Sequence, residues 1–177
     1  MFNVQDAVGL ASWGHRHQTD QSGTPYIGHP LRVLRNVQKQ GADLYVQIAA
    51  VLHDLTEDQP FTPQILLDLG VPETSVDIVR LVDRNISGSL FHQINKNRDI
   101  GWSTDSRYHQ KQWYMALGPD GEDEFYYSEI RKNPGALMVK LADIEDNMDE
   151  HRLSLLAEGR QNRLKKKYTK ARELLLK

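Results

Sequence analysis

The chain of 177 residues contains no cysteine. This absence excludes disulfide bonds and the cysteine-rich class of zinc sites. The chain also lacks long apolar runs, since no segment approaches the roughly 18 consecutive apolar residues of a membrane-spanning helix. Its first residues have neither the basic start nor the long apolar stretch of a signal peptide. We therefore expect a cytoplasmic protein that has no membrane partner.

A strong excess of charge of one sign is absent as well. The chain has 22 lysines and arginines against 24 aspartates and glutamates, which gives a formal net charge of −2. Without a basic field, duplex nucleic acid is not an expected partner. Convincing strand alternation and internal repeats are also missing, and the length is sufficient for one domain with a single core.

Apolar residues at helical spacing are present through most of the chain. Proline and capping residues predict where the helices begin, and Gly41 and Gly70 predict where two of them end. The predicted helix starts are Val4, Pro30, Asp43, Thr62, Pro72, Pro134 and Arg160. The predicted fold class is therefore all-α, a single helical bundle over residues 1–177.

The most informative segment is the run HDLTED at residues 53–58, which closes the predicted core-facing helix 44–55. An isolated His-Asp pair is more often explained by a hydrogen bond between neighbours than by metal binding. Here, however, His53 and Asp54 leave a mostly apolar helix face, where an unpaired charge is costly. Glu57 and Asp58 add two further carboxylates, and such groups perturb one another unless a cation lies among them.

Two distant residues complete this pattern: His29 in PYIGHP and Asp143 in VKLAD. Two histidines and two aspartates that folding brings together can hold one divalent metal through nitrogen and oxygen, while positions stay open for water and substrate. The pattern by itself predicts a metal-dependent hydrolase.

Three motifs, TPYIGHP (24–30), HDLTED (53–58) and VKLADIEDN (139–147), resemble those of the HD-domain hydrolases that degrade (p)ppGpp. These are the hydrolase half of the RelA/SpoT enzymes and the small alarmone hydrolases. The resemblance covers residues from about 5 to 85 and from about 125 to 175. The motifs are specific in combination, because many HD phosphohydrolases lack an acidic pair at this spacing.

The resemblance implies an HD domain with one bound divalent metal, usually manganese, and a small nucleotide as substrate. The metal ligands that it implies are His29, His53, Asp54 and Asp143. It implies that Glu57 and Asp58 orient and deprotonate the attacking water, and that Asn147 contacts the nucleotide. The bond cut would be the one between the ribose 3′ oxygen and a pyrophosphate.

The chain departs from the family pattern just before the first metal histidine. Asp20 stands where the family has an arginine that stacks on the base, and a carboxylate cannot stack as a guanidinium does. Either Arg16 or a residue of the central insertion takes over the base, or the substrate is a different nucleotide. Gln18 keeps its family position and is a further predicted substrate contact. Replacing Asp20 by arginine is expected to strengthen binding of a guanine nucleotide.

Residues 86–124 form an insertion in which the family varies, and their aromatic and basic side chains allow two interpretations. Trp102, Tyr108, Trp113 and Tyr114 either stack on a base or lie on a helix from about Ser103 to Leu117 that packs on the bundle. The second interpretation is favoured, because aromatic residues at helical spacing more often serve packing. For Lys165, Lys166 and Lys167 a solvated helix face is favoured over a phosphate clamp.

Three functions stay open from the sequence. The leading one is removal of the 3′-pyrophosphate from (p)ppGpp or a related nucleotide. The second is an HD phosphatase acting on a nucleoside monophosphate or another small phosphate ester, and the third is a non-catalytic nucleotide-binding module. The oligomeric state, a monomer or a homo-oligomer, stays open too.

Overall fold

The computed structural model describes residues 1–86 and 121–177, and these residues are mostly helical. The helices are α1 (Val4–Gly14), α2 (Gly28–Lys39), α3 (Leu44–Leu52), α4 (Leu55–Asp58), α5 (Pro63–Asp68), α6 (Glu73–Val82), α7 (121–131), α8 (Pro134–Asn147), α9 (Glu150–Ser154) and α10 (Glu158–Leu175). Within these two ranges the only β-type pairing is an isolated bridge between Thr19 and Pro25. The prediction of an all-α fold is confirmed.

Side-chain caps explain why several helices begin where the sequence predicted. The Asp43 carboxylate accepts from the Val46 N–H at the start of α3, and Thr62 caps α5 in the same way. Such caps satisfy N–H groups that have no partner within the helix. Gly41 and Gly70 follow the ends of α2 and α5 with positive φ angles of 76° and 85°, which glycine adopts without strain.

Two helix ends around the motifs differ from the prediction. Helix α2 begins at Gly28 and not at Pro30. The first N–H groups of a helix have no partner within it, so Pro30, which lacks an N–H, is tolerated as the third helical residue. Helix α3 ends at Leu52 and not at Leu55, and His53 and Asp54 form a turn before α4. The His-Asp pair therefore lies between two helices rather than on one.

The core is built around α3, which packs against α1, α2, α6 and α8. Its residues from Ile48 to Leu52 are fully buried. Apolar burial on this scale is the main favourable term in folding. Because the His-Asp pair directly follows this helix, the core fixes the position of the pair.

Most of the predicted insertion lies outside the described residues, and so do Trp102, Tyr108, Trp113 and Tyr114. The described part at its end, residues 121–124, belongs to α7. Tyr126 and Tyr127 of this helix are buried, and the Tyr126 hydroxyl donates to the Val82 carbonyl. Helix α7 is thereby attached to the end of α6.

A close approach of α1 to the motif region depends on Gly14. A Cβ atom at this position would lie 2.4 Å from Cδ1 of Leu55, which is fully buried directly after Asp54. Gly14→Ala is therefore expected to lower the free energy of unfolding by about 1 to 3 kcal/mol, since the core must shift to admit the methyl group. Urea unfolding followed by circular dichroism measures this change.

Gly9→Ala is the matched control on the same helix, because within the described ranges a Cβ atom there would have no atom within 4 Å apart from the adjoining residues and backbone of its own helix. It should leave stability unchanged or raise it by up to about 1 kcal/mol through helix propensity. Equal effects of the two substitutions would contradict the close packing inferred at Gly14.

Candidate metal centre and substrate pocket

The four predicted ligands come together from three parts of the bundle. His29 lies in the first turn of α2, His53 and Asp54 in the turn after α3, and Asp143 in the middle of α8. His29 Nε2 lies 3.4 Å from Asp54 Oδ2 and 3.3 Å from Asp143 Oδ1. His53 Nε2 lies 3.2 Å and 3.8 Å from the same two oxygens. Side chains from three segments that are distant in sequence thus point four atoms at one place.

Both histidines present the same nitrogen to this place. Nδ1 of His53 lies 2.9 Å from the Ala50 carbonyl oxygen, which can only accept, so Nδ1 carries the proton. Nδ1 of His29 lies 2.7 Å from the carboxylate of Asp146. With Nδ1 protonated in each ring, Nε2 is left as a lone-pair donor, the usual tautomer of a metal-binding histidine.

These side chains fit a divalent metal. His53 Nε2 is completely buried and has no hydrogen-bond partner among residues 1–86 and 121–177, although polar atoms in such positions are normally satisfied. Around an ion with bonds of about 2.1 Å, neighbouring ligand atoms lie about 3.0 to 3.5 Å apart, close to the spacing of the four atoms. His29, His53 and Asp143 each offer an atom, and these three atoms lie within 4.8 Å of one another. A divalent ion would satisfy the unpartnered nitrogen.

The electrostatics of the cluster favour positive charge. Burial lowers the pKa of His29, but the carboxylates of Asp143, Asp146 and Asp54 raise it well above the ordinary histidine value. For Asp143 burial acts in the opposite direction and raises the pKa. Lys140 and the two imidazoles outweigh this effect, so the pKa of Asp143 lies well below its ordinary value. The carboxylates remain ionised and attract a cation to the point where the Nε2 atoms meet.

Asp146 orients His29 from behind and was missed by the sequence analysis. It is buried, and besides His29 it accepts from the guanidinium groups of Arg32 and Arg152. A carboxylate behind a ligating histidine fixes the ring orientation and increases its basicity. One signal could have identified it, because Asp146 follows Asp143 by three residues and so lies on a neighbouring helix face.

Lys140 and Tyr26 contact the two carboxylates of the cluster, and sequence reasoning missed them as well. Lys140 Nζ lies 2.9 Å from Asp143 Oδ2, and the Tyr26 hydroxyl donates to Asp54 Oδ2 at 2.5 Å. Burial and the Asp54 carboxylate raise the pKa of Tyr26, so its phenol stays a donor. Both residues belong to the motifs, but nothing in their spacing showed which carboxylate each would contact.

The acidic pair lies beside the cluster, on the wall of the same cavity. Glu57 Oε2 lies 3.3 Å from the N–H of Arg84, at the start of the helical residues 84–86. Loss of hydration raises the pKa of Glu57, and the ammonium group of Lys140 opposes this shift. A carboxylate with a raised pKa is suited to accept and return a proton near neutral pH.

Asp58 is held by a chain of side-chain hydrogen bonds. Gln18 Nε2 donates to Asp58 Oδ2 at 2.8 Å, and Gln18 Oε1 lies 2.6 Å from both His15 Nδ1 and Gln59 Nε2. Because two donors occupy the amide oxygen, the amide N–H₂ must face Asp58. The structure thus gives Gln18 a positioning role that the sequence did not predict, and Gln18 also lines the cavity.

Asp20 organises the loop at the mouth of the cavity. Its Oδ1 accepts from the Ser22 N–H and hydroxyl and from the Thr24 N–H, and its Oδ2 lies 3.4 Å from Arg152. Burial raises the pKa of Asp20, but the bonds from Ser22 and Thr24 and the charge of Arg152 lower it overall. An arginine at this position would lose the loop bonds, so Asp20→Arg changes more than base stacking.

The cavity beside the cluster has a volume of about 450 Å³, within the range of small-ligand sites. Asn147 lies on its wall, and its amide donates to the carbonyl and carboxylate oxygens of Asp143. Arg16 lies elsewhere: its guanidinium stacks on Trp13, 4.4 Å from the ring centroid, in a separate depression bordered by Phe61. Of the three predicted substrate contacts, the structure brings Asn147 and Gln18 to the cavity.

Comparison with protein families identifies the domain. The model of the HD domain matches residues 26–148, which are more than half of the chain and contain all four converging side chains. The chain belongs to the HD-domain family, as the motifs predicted.

Three curated relatives are similar to part of the chain. A probable GTP pyrophosphokinase of Mycobacterium leprae is 39% identical over 88 residues, 49% of this chain and 11% of that protein. The bifunctional (p)ppGpp synthase/hydrolase SpoT of Escherichia coli is 39% identical over 61 residues, which are 34% of this chain and 9% of that protein. The guanosine-3′,5′-bis(diphosphate) 3′-pyrophosphohydrolase of Haemophilus influenzae is 34% identical over 74 residues, which are 42% of this chain and 10% of that protein. The chain spans about a tenth of the length of these relatives.

A solved structure is similar over almost the whole chain. It is described as a metazoan ortholog of SpoT that hydrolyses ppGpp, and the alignment has a TM-score of 0.65. It covers 97% of this chain and 84% of the other at 21% sequence identity, a likeness of fold. Among the helices described in residues 1–86 and 121–177, none is long and apolar enough to cross a membrane.

The cluster predicts that the protein binds about one divalent metal ion per chain. His53→Ala and Asp54→Ala should each remove most of the metal, because each deletes one converging atom. Metal content after manganese loading and dialysis is measured by mass spectrometry. Circular dichroism tests whether the bundle stays folded.

His151→Ala is the control, since this histidine is exposed on α9 and is part of neither the cluster nor the cavity lining. It should bind as much metal as the unsubstituted protein. Full metal content in both cluster variants would place the metal elsewhere.

Proposed function

We propose that the protein is a metal-dependent phosphohydrolase that removes the 3′-pyrophosphate from (p)ppGpp or a closely related nucleotide. The observation that carries this proposal is the convergence of two histidines and two aspartates beside the acidic pair Glu57 and Asp58, on one cavity of an HD domain. The relatives named for (p)ppGpp synthesis or hydrolysis support the choice of substrate.

The proposed metal ligands are His29, His53, Asp54 and Asp143, and the proposed metal is manganese. When bound, a divalent ion supplies Lewis-acid polarisation of a phosphoryl oxygen and a water of lowered pKa. The protein supplies the positions: Asp146 and the Ala50 carbonyl fix the two imidazoles. These contacts hold the ligands in place before substrate arrives, which lowers the cost of reorganisation.

The two acidic residues have different surroundings, and we assign them different parts of the proton transfer. Glu57, with a raised pKa, is the group that takes the proton of the attacking water. Asp58 has one oxygen engaged by Gln18, and its other oxygen can accept from the same water. Hydrolysis then releases pyrophosphate and leaves a hydroxyl group at the 3′ carbon.

Identification of the products tests this function. The manganese-loaded protein is incubated with ppGpp, and the products are separated by chromatography. Release of pyrophosphate together with GDP is expected, and a chelator should abolish it. Release of orthophosphate would instead favour the phosphatase alternative, and no turnover of ppGpp would overturn the proposal.

Glu57→Gln and Asp58→Asn test the acidic pair. Each keeps the size and hydrogen-bonding shape of the side chain but removes the proton acceptor, so kcat should fall on the order of a hundredfold or more. Metal content should be largely kept, because neither residue is one of the four proposed ligands. The measurements are steady-state kinetics on ppGpp and metal analysis of the same samples.

Glu145→Gln is a control for these variants, since this carboxylate is exposed on α8 and does not line the cavity. Its kcat should equal that of the unsubstituted protein. Unsubstituted rates in both Glu57→Gln and Asp58→Asn would mean that neither residue activates water.

The charge of Asp20 is expected to weaken nucleotide binding. Asp20→Asn keeps an oxygen that can accept the loop hydrogen bonds but removes the negative charge from the cavity mouth. KM for ppGpp should fall by roughly twofold to fivefold, because a screened charge contributes about 0.5 to 1 kcal/mol. The turnover number should stay the same, since the charge acts equally on bound substrate and transition state.

Asp20→Arg serves as the comparison, because it loses the bonds to Ser22 and Thr24. Its loop should be more susceptible to proteolysis than that of Asp20→Asn. An unchanged KM in Asp20→Asn would show that Arg152 already neutralises this carboxylate.

A further inference from the structure

The C-terminal helix α10 forms one wall of the cavity. The four residues that it contributes follow one helix face at spacings of three, four and seven: Leu164, Lys167, Tyr168 and Ala171. From the sequence, Lys165, Lys166 and Lys167 are all expected on a solvated helix face. The structure separates them, because only Lys167 of these three lines the cavity.

Lys167 lies at the open edge of this wall. Its side chain is exposed, whereas Ala171, one helical turn further along, is 3% exposed. One turn corresponds to about 5 to 6 Å along the helix axis. The face of α10 therefore extends from a buried position to the cavity mouth, and Lys167 marks the mouth.

Lys167 is also the cation of the cavity wall that no carboxylate neutralises, among the residues that the structure describes. The other three are paired: Lys140 with Asp143, Arg84 with Asp123, and Arg152 with Asp146 and Asp20. The ammonium group of Lys167 lies 5.1 Å from the ring centroid of Tyr168 and has no ion-pair partner in the described ranges.

An unpaired ammonium at the mouth of a cavity whose other lysine and arginine side chains are all ion-paired favours an anionic group of the ligand. The cleaved phosphoryl group must lie at the histidine and aspartate cluster, so this second anion is a different part of the same molecule. In a nucleotide that carries phosphate groups on both the 3′ and the 5′ carbon of the ribose, the 3′ group is the one cleaved, and the second anion is the phosphate on the 5′ carbon.

We propose that Lys167 is a specificity-determining residue that binds the 5′-phosphate groups of the nucleotide, remote from the 3′-pyrophosphate that is removed. This inference rests on the proposed function and adds to it the selection of substrates that carry phosphate at both ends. Lys165 and Lys166 have the same charge but do not line the cavity, so they have no such role.

A comparison of two variants on two substrates tests the proposal. The variants are Lys167→Ala and, as the matched control, Lys166→Ala. The substrates are ppGpp and guanosine 3′-diphosphate, which has a free 5′ hydroxyl. Lys167→Ala should raise KM for ppGpp by roughly fivefold with kcat little changed, since an exposed charge pair contributes mainly to uniform binding. On guanosine 3′-diphosphate the same variant should match the unsubstituted protein.

Two further measurements support the comparison. Lys167→Arg keeps the charge and should recover most of the affinity for ppGpp. Calorimetric titration of both nucleotides into the Glu57→Gln background gives the same comparison at equilibrium, without turnover. Thermal unfolding of each variant shows that the helix remains packed.

Each other outcome has a definite consequence. An equal loss on both substrates would overturn the inference, because Lys167 would then contact the cleaved end of the nucleotide. No loss on either substrate would overturn it too, by making Lys167 equivalent to Lys166. If the unsubstituted protein hydrolyses neither nucleotide, the proposed function fails and this inference fails with it.

Discussion

Two imidazoles and the Asp143 carboxylate are held at one buried point by contacts on their far sides, Asp54 joins them there, and the rest of the site depends on this arrangement. Burial of such groups is costly unless each has a partner. His53 has a backbone carbonyl behind it, His29 has Asp146, and Asp143 has Lys140. These partners determine which atoms face inward, and the inward atoms then share a space that suits a cation. The apolar core around α3 contributes rigidity, since its packing fixes the turn that carries the His-Asp pair.

The same contacts connect the cluster to the cavity mouth. Asp146 binds His29 on one side and Arg152 on the other, and Arg152 also approaches Asp20 in the loop before α2. Asp20, the loop residue that departs from the family pattern, is thus connected to the proposed metal ligand His29 through three successive contacts. Asp20 places a carboxylate at the cavity mouth, and this carboxylate accepts the hydrogen bonds of the loop from Ser22 and Thr24.

The converging side chains and most helix starts could be predicted from the sequence because their signals are local. Asp43 and Thr62 cap the helices that follow them, and the histidine and aspartate motifs are short and specific. The roles of Asp146 and Gln18 could not be predicted, because each depends on a partner far away in sequence. The predicted end of α3 at Leu55 was wrong, because the apolar spacing continues to the buried Leu55 and does not mark the turn at His53 and Asp54.

The acidic pair shows how tertiary contacts can give different properties to adjacent residues of the same chemical class. Glu57 faces the backbone N–H of Arg84 and the ammonium group of Lys140, and loss of hydration still raises its pKa. Asp58 faces the amide of Gln18, whose orientation is set by His15 and Gln59. The surroundings of Glu57 therefore change its pKa, whereas the oriented amide of Gln18 fixes the position of the Asp58 carboxylate. In the proposed function, this difference assigns the proton of the attacking water to Glu57 and a fixed hydrogen-bond acceptor for that water to Asp58.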